Sequence, residues 1–172
     1  MPDLPLRHLS QEECLSLLAR ERLGRVAVSI GALPVILPVN YAVFEGSVVL
    51  RTAPGTKLSA ALVGAVVGFE IDGTTSDHAS GWSVLVVGHA HEVRDDAMVE
   101  RLRRVPLASW SPDHRDHFVK IPIERVSGRA FGPVPPGLGS AVPTAHVESL
   151  ARDSTAEGRS ALSPIEFDDQ NL

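Results

Sequence analysis

The strongest constraint in this sequence is a series of short segments whose apolar residues recur at every second position, separated by turn signals. Successive side chains of an extended chain point to opposite faces, so this period marks strands with one buried face. Val26 and Val28 share a face between Arg25 and Ser29, and Gly31 closes that segment in a turn. Val35, Leu37 and Val39 repeat the pattern in the next segment, where Pro38 cannot donate to a ladder and requires an edge or a bulge. Glu45-Gly46 is a hairpin signal leading into Ser47 to Thr52. Val66 to Asp72 supplies a fourth strand, Trp82 to Val93 the longest, with Gly88 read as a bulge, and Phe118 to Phe131 the last, interrupted by Pro122.

Helical signals are short. Ser10 ahead of Gln11, Glu12 and Glu13 forms a helix start, because a hydroxyl caps free N–H groups and acidic residues suit the positive end of the dipole; Leu15, Leu17 and Leu18 then form its apolar stripe. A second helix is expected from about Thr56 to Val63, and Asp95-Asp96 opens a third with Met98, Val99 and Leu102. Six strands joined by hairpins, with two or three short helices, predict a mainly β protein built as a closed or nearly closed antiparallel barrel. With 172 residues the chain suits one domain, read here as residues 1–131. From Gly132 to Leu172, Pro, Gly, Ser and Ala dominate and periodicity ends, so residues 132–172 read as an extended or disordered tail.

Charge and cysteine content exclude several classes. A formal net charge of −5, with Arg101, Arg103 and Arg104 as the main basic group, argues against nucleic acid as a partner. The single cysteine, Cys14, forbids an internal disulfide and a cysteine-based zinc cluster; it lies among leucines and reads as packed. With no apolar run long enough for a membrane span and no leader pattern at the N-terminus, the expectation is a cytoplasmic protein with no membrane partner.

The segment Arg51-Thr52-Ala53-Pro54-Gly55-Thr56-Lys57 puts two cations and two hydroxyls around one strand-to-helix turn. A phosphate monoester needs such a place: Arg forks onto two oxygens, Lys adds a point charge, and N–H groups at a helix start face the anion. Taken alone, Arg51 and Lys57 would read as solvated charges beside a loop. Their surroundings change that reading. Gly24-Arg25-Val26-Ala27, Pro38-Val39-Asn40-Tyr41, the Arg51 to Lys57 turn, Gly81-Trp82-Ser83-Val84 and Trp110-Ser111-Pro112 through Ile121 follow one another in an order that resembles the pyridoxamine 5′-phosphate oxidase-like family of flavin-binding split barrels, over roughly Leu15 to Phe131.

That resemblance implies a six-stranded antiparallel split β-barrel, homodimeric, with two cofactor sites at the subunit interface. It implies that Arg51, Thr52 and Lys57 hold the phosphate of FMN, that Val39, Asn40 and Tyr41 line the isoalloxazine edge, that Trp82 and Ser83 support the pocket, and that Trp110 approaches the flavin from the other subunit. Each has a plainer alternative: Tyr41 and Trp82 as packing aromatics, Ser83 facing solvent, Asn40 satisfying the backbone beside Pro38. The expected activity is that of a flavin-dependent oxidoreductase acting on a small molecule, the protein supplying binding and orientation, with Tyr41 or solvent delivering protons and no catalytic side chain assigned. A basic set for a second, substrate phosphate is missing, which sets vitamin B6 oxidation aside. Alternatives are a deazaflavin-coenzyme-dependent reductase, nitroimidazole-reductase-like relatives being of the same kind, and a non-enzymatic flavin-binding or sequestering protein. His89 with His91, and His114 with His117, lack a third ligand, so no metal site is expected, and no Ser-His-acid set emerges from the spacing.

Overall fold

A computed structural model describes residues 6–52, 57–107 and 117–132. The order is β1 (Leu6–His8), α1 (Gln11–Arg20), β2 (Leu23–Ile30), β3 (Leu33–Phe44), β4 (Ser47–Thr52), α2 (Lys57–Leu62), β5 (Val66–Thr74), β6 (Gly81–His89), β7 (His91–Glu92), α3 (Asp96–Arg103), β8 (His117–Pro122) and β9 (Arg125–Phe131). The strands form one antiparallel sheet in the order β1-β9-β6-β5-β2-β3-β4-β8-β7. All six strand segments expected from the alternation are present. Two of them are each cut in two, at Ala90 and at Ile123-Glu124, and β1 adds a short edge strand that no alternation announces.

The hairpins follow from turn chemistry. Gly31 and Ala32, and then Glu45 and Gly46, hold positive φ as consecutive pairs, the backbone twist that two-residue hairpin loops require. β3 has two partners: residues 33–40 pair with β2, and only Tyr41 to Phe44 pair with β4. Pro38 therefore sits where the second edge of β3 carries no strand, and its missing N–H leaves no gap in a ladder.

Gly88 departs from expectation. The β5–β6 register runs unbroken from Thr74↔Gly81 to Val66↔His89, so Gly88 is not a bulge. Its role is close approach: a Cβ there would lie 2.1 Å from the Pro122 carbonyl oxygen. Next to it Ala90 donates to Ala65 and accepts from Gly64, both at 2.8 Å, and the chain passes into β7, which pairs with β8. The sheet thereby curls back on itself.

Inside the curl lie Val26, Tyr41, Val48, Leu50, Phe69, Ile71, Val84, Val86 and Ile121, covered at one end by Cys14, Leu17 and Leu18 of α1. Each such aliphatic or ring side chain contributes about 1.5–3 kcal/mol when buried. Ser10 caps α1 by accepting from the Glu13 N–H at 3.2 Å, while the Glu13 carboxylate accepts from the Ser10 N–H at 2.7 Å. That backbone bond, with Arg7 beside it, holds the Glu13 carboxyl below its ordinary range. Burial pushes the Cys14 thiol up to about 11, which keeps it an inert packing group. A second cluster, Ala42, Val49, Leu102, Leu107 and Phe118, seats α3 on the opposite face of β3, β4 and β8.

Gly88→Ala should destabilise the protein by about 2–4 kcal/mol, because the Pro122 carbonyl is main chain and cannot swing aside. Urea unfolding of the variant measures this, and an unchanged midpoint would show that the two strand ends can part freely.

Candidate functional site

The site begins where β3 and β4 separate. Their pairing ends at Tyr41↔Leu50, after which β3 continues against β2, through Asn40↔Leu23 and Val39↔Gly24, and β4 continues against β8, through Arg51↔Phe118 and Thr52↔His117. A notch opens between the two strand ends. Val39 and Asn40, both half-buried, form one wall, and Arg51 and Thr52, also half-buried, form the other. Four of the predicted cofactor residues are thus brought together by one feature of the sheet.

The pleat divides the second wall. Leu50 belongs to the barrel core and Val49 to the α3 cluster, so Thr52 follows Leu50 inward and Arg51 follows Val49 outward. The Arg51 guanidinium carbon stands 5.8 Å from the centre of the Phe118 ring. Thr52 Oγ1 is buried without a hydrogen-bond partner among the described residues. A buried hydroxyl with no partner costs about 1–3 kcal/mol, a cost that a bound ligand accepting from it would offset.

Behind Thr52 lies a hydrogen-bonded series that the sequence did not disclose. Ser59, on α2 and 5% exposed, lies 2.6 Å from His117 Nε2, and His117 Nδ1 lies 3.1 Å from Glu92 Oε1. Arg94 donates to the other Glu92 oxygen at 2.8 Å and is the main cause that holds the Glu92 carboxyl below its usual range. The three residues come from α2, β8 and β7, joined only by closure of the sheet, so no spacing could have announced them. Ser59 is too enclosed to serve as a nucleophile toward an outside carbonyl.

The other predicted residues are placed differently. Tyr41 is fully buried: its hydroxyl donates to the Leu18 carbonyl at 2.9 Å, its ring meets Phe69 edge-on at 4.7 Å, and burial raises its pKa far above the phenol range. It is a core residue that fixes the position where the strands part, and it is not placed to hand a proton to a ligand. Trp82 packs over Gly73, where an added Cβ would come within 2.8 Å of the indole, and Ser83 faces the opposite side between Asp72 and Arg129. Both lie on β6, separated from β4 in the strand order by β5, β2 and β3. The Lys57 side chain and Trp110 lie outside the described residues. A cavity of about 480 Å³ occupies the other end of the β3–β4 hairpin, beside Phe44, Glu45 and Arg101, and none of the predicted cofactor residues lines it. His89 turns to Glu124 at 3.0 Å, and no group of three metal-ligating side chains gathers among the described residues.

A curled antiparallel sheet whose third strand is shared between two neighbours, with polar residues at the parting, is the architecture of the split-barrel flavin-binding proteins. The chain belongs to the pyridoxamine 5′-phosphate oxidase family, whose model matches residues 10–130. An uncharacterised protein of Mycobacterium tuberculosis is 39% identical over 125 residues, 70% of this chain and 82% of the relative. A solved FAD binding protein from Mycobacterium smegmatis is 35% identical with a TM-score of 0.63, over 73% of this chain and 98% of that one. A solved FAD-binding protein from Mesorhizobium loti is 28% identical with a TM-score of 0.59, over 76% of this chain and 99% of that one.

Tyr41→Phe should cost about 1–2 kcal/mol of stability through the unsatisfied Leu18 carbonyl while leaving flavin affinity within about twofold. Denaturation and flavin titration of the same preparation check both halves, and a large loss of affinity at unchanged stability would return Tyr41 to the ligand.

Proposed function

We propose that the protein is a flavin-dependent oxidoreductase that binds FMN in the notch between β3 and β4 and acts on a small molecule. The observation that carries this reading is the parting of the strands after Tyr41↔Leu50, with Arg51 at its edge beside the Thr52 hydroxyl, which is buried with no partner among the described residues. Arg51 and Lys57 supply charge to the phosphate, Thr52 a hydroxyl donor, and the Val39-Asn40 wall borders the ring. When bound, the flavin supplies the hydride chemistry, and the chain's own groups bind it, orient it and limit water. No proton donor of the chain is assigned, since Tyr41 is committed to Leu18.

A second reading, FAD in the same notch, is favoured by the two solved relatives described as FAD binding. Both nucleotides present phosphate at the same turn, as does a deazaflavin coenzyme. Arg51→Ala with Lys57→Ala should weaken FMN binding about tenfold or more and riboflavin by less than about twofold, because only the phosphate ester presents an anion. Fluorescence titration with FMN, FAD, deazaflavin coenzyme and riboflavin ranks the candidates, and equal losses for FMN and riboflavin would place the phosphate elsewhere. Turnover of reduced nicotinamide by the loaded protein separates an enzyme from a flavin-sequestering protein.

We place this function in a cytoplasmic homodimer. No helix among the described residues is long and apolar enough to cross a membrane, and the sole cysteine is buried and unpaired. The support for a dimer is the outer face of the sheet. Ile36, Ala27, Gly68 and Val87 stand in one row across β3, β2, β5 and β6, with Ile36 66% exposed and the adjacent Val66 and Leu85 59% and 44% exposed. Gly68 keeps this row flat, and a second copy laid on it would bring another chain's residues toward the notch, which is where Trp82, Ser83 and Trp110 would be supplied. Ile36→Asp with Leu85→Asp should convert the dimer to monomer in sedimentation, with loss of flavin. A wild-type monomer that still binds flavin would refute the two-chain site.

A further inference from the structure

The cavity of about 480 Å³ at the turn end of the β3–β4 hairpin takes no part in the reading above, and its size is that of a small-molecule site. The end of α1, the last residues of β3 and the chain leaving α3 close around it. Its apolar surface comes from Ala42, Phe44 and Val105. Its charged surface comes from Arg22, Arg101 and Arg104, set against a single carboxylate, that of Glu45, among the described residues. The chain as a whole carries a formal charge of −5, so three guanidiniums around one apolar recess run against its general character.

The three arginines are committed to different degrees. Arg101 pairs with Glu45, and its guanidinium carbon lies 5.0 Å from the centre of the Phe44 ring. Arg104, with 79% of its side chain exposed, reaches only Glu100 Oε1, at 3.8 Å, while Arg103 donates to the other Glu100 oxygen at 2.9 Å. Arg22 pairs with no acid among the described residues: its Nη1 donates to the Ala19 carbonyl at 2.8 Å and to the Glu21 carbonyl at 3.0 Å. Those two bonds restrain the guanidinium against the end of α1, and its Nε and Nη2 hydrogens have no partner among the described residues. The Arg22 carbonyl accepts from the Tyr41 N–H at 3.0 Å, so its backbone is held as well. A donor fixed in this way loses little freedom when it takes up a ligand.

We infer that this cavity is a binding site for a small aromatic carboxylate, with Arg22 and Arg104 holding the carboxylate, Ala42 and Val105 receiving the ring, and Glu45 competing with the ligand for Arg101. The site is independent of the flavin reading, since none of the residues proposed for the flavin lines it. Two properties of the occupant follow from the lining. The excess of guanidinium over carboxylate calls for an anion, and the planar fork of Arg matches the two oxygens of a carboxylate. The apolar surface, with guanidinium faces that stack on rings, favours an aromatic body over a bare inorganic anion.

The test is calorimetric titration of the full-length protein with 2-naphthoate, with the uncharged 2-naphthamide of the same shape, and with inorganic sulfate. Wild type should bind naphthoate about tenfold more tightly than either of the others, the scale of one charge-assisted hydrogen bond. Arg22→Gln should weaken naphthoate about tenfold, and Arg104→Gln about threefold because that side chain is exposed. Arg103→Gln, at a position outside the described lining, should leave affinity within about twofold. Glu45→Gln frees Arg101 for the ligand and should strengthen binding about threefold, a gain that a misfolded variant would not show. Equal affinity for naphthoate and naphthamide, sulfate bound as tightly as naphthoate, an equal loss in Arg103→Gln, or no gain in Glu45→Gln overturns the site. Saturation with FMN should leave naphthoate affinity within about twofold. Displacement of naphthoate by FMN puts both ligands in the notch, which overturns this site and leaves the flavin reading standing. Naphthoate that responds as above to Arg22→Gln and Glu45→Gln in a protein that binds no flavin supports the site and refutes the flavin reading.

Discussion

The organisation of this molecule depends on β3 being too long for one partner. Twelve residues are shared between β2, which takes the first eight, and β4, which takes the last four. A strand that changes partner must leave a place where the second ladder stops, and the strand ends at that place are paired in the sheet on one side only. Elsewhere an open edge of this kind invites aggregation. Here it lies within a curled sheet, between strands that are each paired to another neighbour.

Three features hold the parting in place. The Tyr41 hydroxyl ties the last paired residue of β3 to the α1 carbonyl of Leu18, so the helix that caps the barrel also fixes where the ladder ends. Gly24, opposite Val39, has no side chain because Phe69 occupies that space, with ring atoms 2.3 Å from where a Cβ would be. Gly88 lets β6 approach Pro122, which carries β7 onto β8 and sets Glu92 within reach of His117. The closure of the barrel and the contents of its polar end are therefore one geometric event.

Much of the fold was legible in the sequence because alternation and turn chemistry are local. The Ser10 cap, the Glu45-Gly46 turn and the edge position of Pro38 each follow from a few neighbouring residues. Gly88 misled for an equally physical reason: a glycine within a strand signals either a bulge or a close approach, and only the position of Pro122 decides between them. At the candidate site, the expectation for Val39, Asn40, Arg51 and Thr52 came from their order along the chain, and the structure places them at the two strand ends where β3 and β4 part. Tyr41 was expected at the isoalloxazine edge, with packing as the plainer alternative; its side chain is buried against Leu18 and Phe69, which are too distant in sequence for that packing to be legible. His117 was noted only beside His114, and nothing in the spacing joined it to Ser59 of α2 and Glu92 of β7, which the closure of the sheet brings to it.

The placement of Arg51 and Thr52 on opposite faces of β4 makes the chemistry of the notch two-sided. The Arg51 guanidinium, on the outer face over the Phe118 ring, would act on an anion at longer range. The Thr52 hydroxyl on the inner face is buried where solvent is scarce, so a bond from it to an oxyanion would be shorter-ranged and more directional than the outer charge. An anion held by both would be drawn to the strand end from outside and oriented from within. The separation of attraction from orientation follows from the period of two along β4.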